Sequence, residues 1–298
     1  MMSDFVQQQH TICDFSSSDS WVILSPIEQS IKRKIESVGT PLKDWDIQIN
    51  YGIKTGYNDA FIIDSEKREE ILSKCQTPEE RKKTDEIIRP ILRGRDIKRY
   101  GYVDNGLYLI NTHNGIKGKL PRIDINDYPA VKAHLDIYWD KISNRADKGD
   151  TPYNLRNCAY LEDFSKPKII WKRIGSILRF SYDNKGHLGL DSTCFAAGEH
   201  IEYLCCILNS LMGHYLLKDS PKTGTGDLLV SVQAIEPACV PYEEKFDSQL
   251  STLLDSQIKN STVAIENEIN DIVFSIYGLS PSERDYITLY VKQSLQSQ

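Results

Sequence analysis

Cationic and hydroxyl side chains collect in three stretches of this sequence, each built around a tight turn or a short apolar run. The first is residues 50–63, Asn-Tyr-Gly-Ile-Lys-Thr-Gly-Tyr-Asn-Asp-Ala-Phe-Ile-Ile. Gly52 and Gly56 bracket Lys54 and Thr55, so the backbone can turn tightly and approach a partner closely while a cation and a hydroxyl project from the turn. Such a loop suits a phosphate; the alternative is an ordinary hairpin turn. Phe61-Ile62-Ile63 behind it reads as a buried strand ending at Asp64. The second stretch, Ile88 to Tyr100, reads as another Gly-containing strand and carries five cations, Arg89, Arg93, Arg95, Lys98 and Arg99, around Gly94. In the third, Lys166, Lys168, Lys172 and Arg173 surround Ile169-Ile170-Trp171.

Other constellations are weaker. Lys222-Thr223-Gly224-Thr225-Gly226 lacks the spacing of a phosphate-cradling Walker loop and is not followed by a helix. Asp227 with Glu243-Glu244-Lys245 imitates the acidic-x-Lys core of nucleases that hold Mg²⁺ on carboxylates, which keeps a nuclease open as a second reading. His113, His134, His187, His200 and His214 are scattered and read as structural. Seven cysteines, including the adjacent Cys205-Cys206 and no Cys-x-x-Cys, indicate reduced core residues rather than a disulfide framework or zinc ribbon.

The elements that must position these residues follow from local signals. Residues 1–20 are polar and read as a loose leader. Ser25-Pro26-Ile27-Glu28 is a capping box that opens a connector helix with Ile27, Ile31, Ile35 and Val38 on one face, closed by Gly39. A strand over 46–51 leads into the Gly52–Gly56 loop, and Thr77-Pro78-Glu79-Glu80 opens a charged helix ahead of Arg89. Strands and turns are expected over 101–126, a helix from Pro129 with Val131, Leu135, Tyr138 and Ile142 on one face, and a polar loop carrying Arg145 and Lys148. A β-meander with a basic, aromatic edge follows from Lys166 to about 195, then a buried apolar helix over 201–217 and an extended segment from Leu228 to Pro241. From 243, Leu250, Leu254, Ile258, Ile265, Ile269, Ile272, Ile276 and Leu279 fall at a spacing that suits packing against another long helix, and Ser280-Pro281-Ser282-Glu283 caps a final short one. The expected class is α+β: a mixed-sheet domain over 46–242 with a buried helix, flanked by a connector (1–45) and a long-helix region (243–298).

A formal charge of −6 over 298 residues describes a soluble globular protein, and the N-terminus has no secretory pattern. The stretch 201–217 is too short and polar to span a bilayer, so the expected place is the cytoplasm. Charge is uneven. Residues 81–122 hold eleven Lys/Arg against four Asp/Glu, 165–187 hold six against Asp183, and the tail from 243 holds nine acids against four bases. A basic middle is the pattern expected if one face tracks a phosphate backbone while acidic helices face water or protein. A scaffold that binds only protein through those helices is the third reading.

Gly52-Ile53-Lys54-Thr55-Gly56 with Asn58 and Phe61, then Arg89-Pro90-Ile91-Leu92-Arg93-Gly94-Arg95-Asp96-Ile97, resemble the opening of the TaqI-like C-terminal specificity domain. That domain is the target-recognition part of adenine-specific DNA methyltransferases and of fused restriction–modification enzymes. Lys166-Pro167-Lys168-Ile169-Ile170, Ile207-Leu208-Asn209-Ser210 and Ile272 to Leu279 resemble later blocks, so the likeness runs from about Trp21 onward. Glu236-Pro237-Ala238-Cys239-Val240-Pro241 departs from the family's Pro-hydrophobic-Pro ending, and Asn157-Cys158-Ala159 from a region where a tryptophan is common. The resemblance implies a module that binds double-stranded DNA and works with a methyltransferase catalytic domain in cis or in trans. Neither the Asn/Asp-Pro-Pro-Tyr/Phe motif nor a Gly-rich S-adenosylmethionine motif occurs here, so the cofactor is expected on that partner domain and no catalytic or metal residue in this chain. Lys54, Lys98, Arg99 and Lys172 are the candidates for phosphate contact; Arg93, Arg95, Asn58 and Arg173 those for base reading; Thr55 and Gly56 belong to the same surface.

Overall fold

The computed structural model of the protein describes residues 24–296, so the expected polar leader lies outside the described residues. The first helix, Pro26–Val38, starts as its sequence requires: the Glu28 carboxylate accepts from the Ser25 N–H at 2.8 Å while the Ser25 hydroxyl accepts from the Glu28 N–H.

The strands in chain order are β1 (Thr40–Pro41), β2 (Ile47–Tyr51), β3 (Ile62–Asp64), β4 (Ile88–Leu92), β5 (Leu107–Ile110) and β6 (Lys168–Lys172). They continue as β7 (Ile174–Gly175), β8 (Phe180–Asp183), β9 (Leu188–Gly189), β10 (Thr193–Gly198), β11 (Leu228–Leu229) and β12 (Cys239–Val240). One four-stranded sheet has the order β2-β10-β6-β8, antiparallel throughout; another has the order β3-β5-β4-β9, with β4 and β9 parallel. The class is α+β, and the second of these sheets is mixed.

Alternation along the first sheet explains the layering. Ile169, Trp171, Cys194 and Ala196 point into one core, while Ile170, Phe195 and Ala197 point into the other. Successive side chains of a strand face opposite sides, so a sheet buried on both faces must be apolar at consecutive positions. The run Ile169-Ile170-Trp171 is therefore not the basic edge expected of a meander. β6 lies inside its sheet, and Lys168 is 0% exposed.

Other expectations change in detail. Phe61 closes a short helix, Asn58–Phe61, instead of opening a strand, and β4 stops at Leu92, leaving Arg93 to Arg99 in turns. The helix after Tyr128 is two pieces, Pro129–Asp136 and Trp139–Ile142. The apolar segment over 201–217 is buried but breaks at Ser210 into Ile201–Asn209 and Leu211–Leu216; the Ser210 hydroxyl caps the second by accepting from the Gly213 N–H at 3.1 Å. Residues 228–241 are not one extended segment, because helix Val232–Ile235 separates β11 from β12.

In the tail, helices Glu244–Lys259 and Val263–Ile276 spend their apolar stripes internally. Leu250, Leu254, Ile269, Ile272 and Val273 join the core that also holds Leu204 and Ile207. The last helix, Pro281–Gln296, is long, not short. Among the described residues no helix is long and apolar enough to cross a membrane.

Lys168 is held in the interior by charge. Its Nζ donates to the Phe164 carbonyl at 2.7 Å and to Asp183 Oδ2 at 2.5 Å; the same carboxylate accepts from the His187 N–H at 3.0 Å and lies 2.8 Å from His187 Nδ1. Burial pushes the Asp183 carboxyl upward, but the His187 hydrogen bond and the Lys168 charge outweigh it and hold Asp183 well below the usual carboxylate range. Because its pKa is depressed in the folded state, the stability it contributes is present above about pH 4 and is lost as pH falls from there. Lys168→Met removes one partner of a buried pair, and is expected to lower stability by about 3–5 kcal/mol, read as a drop in the urea midpoint at pH 7. A variant as stable as the parent would mean the pair contributes nothing.

Candidate nucleic-acid interface

The loop after β2 is shaped by how closely its backbone approaches the β9–β10 connection. Gly52 N–H donates to the Thr193 carbonyl at 3.0 Å, Ile53 N–H to the Gly189 carbonyl at 2.7 Å, and Ile53 bridges Leu190. A Cβ on Gly52 would lie 1.8 Å from the Leu190 carbonyl oxygen, so only glycine fits. Gly56 closes the turn at φ +71°, with the Asp147 Cβ 3.1 Å from where its own Cβ would be.

Within that loop the polar side chains divide. Thr55 is buried and its hydroxyl donates to Oδ1 of the exposed Asn58 at 2.5 Å, so it ties the turn to the following helix rather than projecting beside Lys54 as the spacing suggests. Lys54 does reach solvent. Its Nζ lies 2.8 Å from Asp147, which also takes Arg156 Nη1 at 3.3 Å, and these cations hold the Asp147 carboxyl below its ordinary range.

Arg145 holds the loop from beneath. Its guanidinium donates to the carbonyls of Thr55, Pro152 (3.1 Å) and Asn154 (2.5 Å), and lies 4.3 Å from the centre of the Phe61 ring. Its partners are mostly neutral, and burial pulls it down to about 10. Position 145 was legible only as a cation in a polar loop, because its partners are backbone groups that no sequence pattern announces.

The other candidates fall in two groups. Arg173 follows β6 and lines one cavity of about 400 Å³ with Lys54, Arg156, Tyr51, Tyr160 and Asp191. Its Nε is buried and makes no hydrogen bond among the described residues. Lys172 is exposed beside the 93–96 turn, since a Cβ on Gly94 would lie 2.9 Å from Lys172 Cγ. On that turn Arg95 is exposed and its side chain has no partner among the described residues, and Lys98 is exposed with only a 3.5 Å contact to the Arg95 carbonyl. Arg93 and Arg99 are half-buried and engaged by other groups of the protein. Arg93 grips Asp96 with Nε and Nη2, both at 2.9 Å, and Arg99 pairs with Glu266 and donates to the Asn209 carbonyl.

A second cavity, of about 650 Å³, adjoins the first and shares Asn157 with it. The loop Asn114 to Arg122 forms its wall and brings Lys117, Lys119 and Arg122 to it. The sequence reads here only as strands and turns; that this loop continues the Lys54 cavity depends on a contact with residues 149–157 that the sequence does not announce. For the nuclease reading, Asp227 sits in the turn before β11 and accepts from Thr225, while Glu243 pairs with Lys245 at the start of another helix. Among the described residues no group of three or more His, Cys, Asp or Glu is placed to hold a metal ion.

Arg145→Met keeps the stem and deletes the fork. It is expected to cost about 1–3 kcal/mol and to speed amide exchange at Ile53 and Gly56 more than in β10. Uniform exchange across the domain would show that Arg145 is not what holds the loop.

Two comparisons bear on this geometry. Residues 89–229 match the family described as the TaqI-like C-terminal specificity domain. In fold the chain is similar to the Type IIL restriction-modification enzyme MmeI, solved in complex with DNA, with a TM-score of 0.61 at 10% identity over 87% of this chain and 36% of that one. It also matches the type IIG restriction endonuclease BpuSI, with a TM-score of 0.45 at 12% identity over 85% of this chain and 33% of that one. The chain thus spans about a third of the length of each.

Proposed function

We propose, from the premise that residues 89–229 match the TaqI-like C-terminal specificity domain family, that the protein is the DNA sequence-recognition module of a restriction–modification system. The observation that carries the reading is the cavity in which Lys54, Arg156 and Arg173 converge beside Tyr51 and Tyr160. Cations interleaved with aromatics at a glycine-shaped backbone suit a strand of phosphates with bases within reach. Lys54, Lys98 and Lys172, compact and exposed, take phosphate. Arg95, exposed beside Gly94, has the planar fork that pairs bidentately with a guanine edge. Thr55, Arg93 and Arg99 shape the surface through the contacts described above, and Asn58, exposed with only its Oδ1 engaged among the described residues, stays beside Arg95 and Arg173 as a candidate for base reading.

We assign the chemistry to another domain. A methyltransferase catalytic domain, in cis or in trans, would bind S-adenosylmethionine and flip the adenine while this module holds the duplex, and the pair would work in the cytoplasm where the DNA lies.

The reading is tested by titrating the chain with duplex DNA across salt concentrations. Affinity is expected to fall steeply as salt rises, and Lys54→Ala to reduce the slope by about one. On a cognate site selected with the reconstituted enzyme, Arg95→Ala is expected to cost about 1–3 kcal/mol and relax one base position. A flat salt dependence in the parent chain would overturn the reading.

A further inference from the structure

Asn157 is the residue common to the two basic cavities, and a chain of hydrogen bonds starting from a backbone group fixes which way its amide faces. The Asp150 N–H donates to Asn114 Oδ1 at 2.8 Å. A backbone N–H can only donate, so the atom it meets must be oxygen and the other end of the Asn114 amide must be nitrogen. That nitrogen donates to Asp150 Oδ1 at 3.0 Å and to Asn157 Oδ1. Asn114 also packs against the Gly149 backbone, where a Cβ would lie 2.5 Å from its Oδ1. The Asn157 oxygen is therefore engaged, while its exposed Nδ2 has no partner among the described residues.

We infer that Asn157 is a specificity-determining residue that acts as a fixed hydrogen-bond donor and reads a keto group, guanine O6 or thymine O4, on the major-groove edge of DNA lying along the two cavities. Asparagine commonly pairs with adenine through its oxygen and nitrogen together. Here Asn114 already donates to that oxygen, which keeps one lone pair, while both N–H bonds of the exposed Nδ2 are free among the described residues, so the donor end is the one turned toward a base. At the same place in the groove adenine and cytosine present amino groups, which repel a donor, so the residue separates keto from amino bases. Lys54, Arg156 and Arg173 on one side of Asn157, and Lys117, Lys119 and Arg122 on the other, would hold the backbone on either side of the base being read.

The inference rests on the DNA-recognition reading above, and one experiment separates the failure of each. The full chain and Asn157→Asp would each be used to select binders from a pool of random-sequence duplexes at low salt. The substitution keeps an oxygen that accepts from Asn114 and exchanges the amino group for an acceptor of the same size; the negative charge it adds weakens all sequences alike, so the readout is the change in base preference, and an unchanged melting temperature checks that the fold is kept. One position enriched in guanine or thymine by the parent chain is expected to turn to cytosine or adenine, with the relative affinity of the two base classes reversing by about tenfold or more. Unchanged selection, or equal weakening on every sequence, overturns the inference while leaving DNA recognition standing. If the parent chain selects no sequence, both fall.

Discussion

The arrangement depends on a place where two backbones meet without a side chain between them. Residues 188–193 pass from one sheet to the other: β9 pairs with β4, and β10, a few residues later, pairs with β2 and β6. Gly52 is pressed against this crossing, and Gly189 within it has no room for a side chain either, since a Cβ there would lie 2.5 Å from Thr193 Oγ1 and 2.8 Å from Ile170 Cδ1. Thr193 fixes the turn by donating both its N–H (2.8 Å) and its hydroxyl (2.7 Å) to the Leu190 carbonyl. Close-packed interiors are stiff, so the loop that carries Lys54 stands on a support that cannot drift. Asp191, in the same connection, reaches the cavity beside Arg173.

Much of the fold was legible because its determinants are local. The capping box at Ser25, the proline-led starts at Pro26, Pro78 and Pro129, and the glycine stop at Gly39 each act within a few residues. What was not legible needed partners distant in the chain. Lys168 reads as a member of a basic edge because its neighbours are Lys166 and Lys172; its burial follows from β6 lying between β8 and β10. The break at Ser210 is the exception, since its cap on Gly213 is local and is hidden only because the apolar run continues through it.

The same division runs through the charges. Counting cations along the sequence treats Arg93, Arg95, Lys98 and Arg99 as one group, whereas the fold separates them. Asp96, 2% exposed and also held by the Asn105 amide at 2.8 Å, takes the Arg93 fork, which leaves Arg95 outside the turn. Arg99 is drawn to Glu266 on a C-terminal helix, so one acid of the tail neutralises a cation of the basic middle inside the molecule. A solvated acidic face would have left that cation free. The charge asymmetry in the sequence is therefore partly a record of internal pairing.

At the cavity the balance differs, because the pairs there face water. Asp147 lies between Lys54 and Arg156, with those cationic side chains 49% and 63% exposed. Ion pairs at such exposure contribute little, because water screens the attraction and the side chains lose freedom in making it. A deeply buried pair such as Lys168–Asp183 cannot exchange partners without leaving a charge in a dry interior, whereas Lys54 and Arg156 can pass from a carboxylate to a phosphate at small cost. On the proposed DNA-recognition reading, Asp147 would keep the loop neutralised until a polyanion arrives, and the low strength of its bonds would leave the cations available.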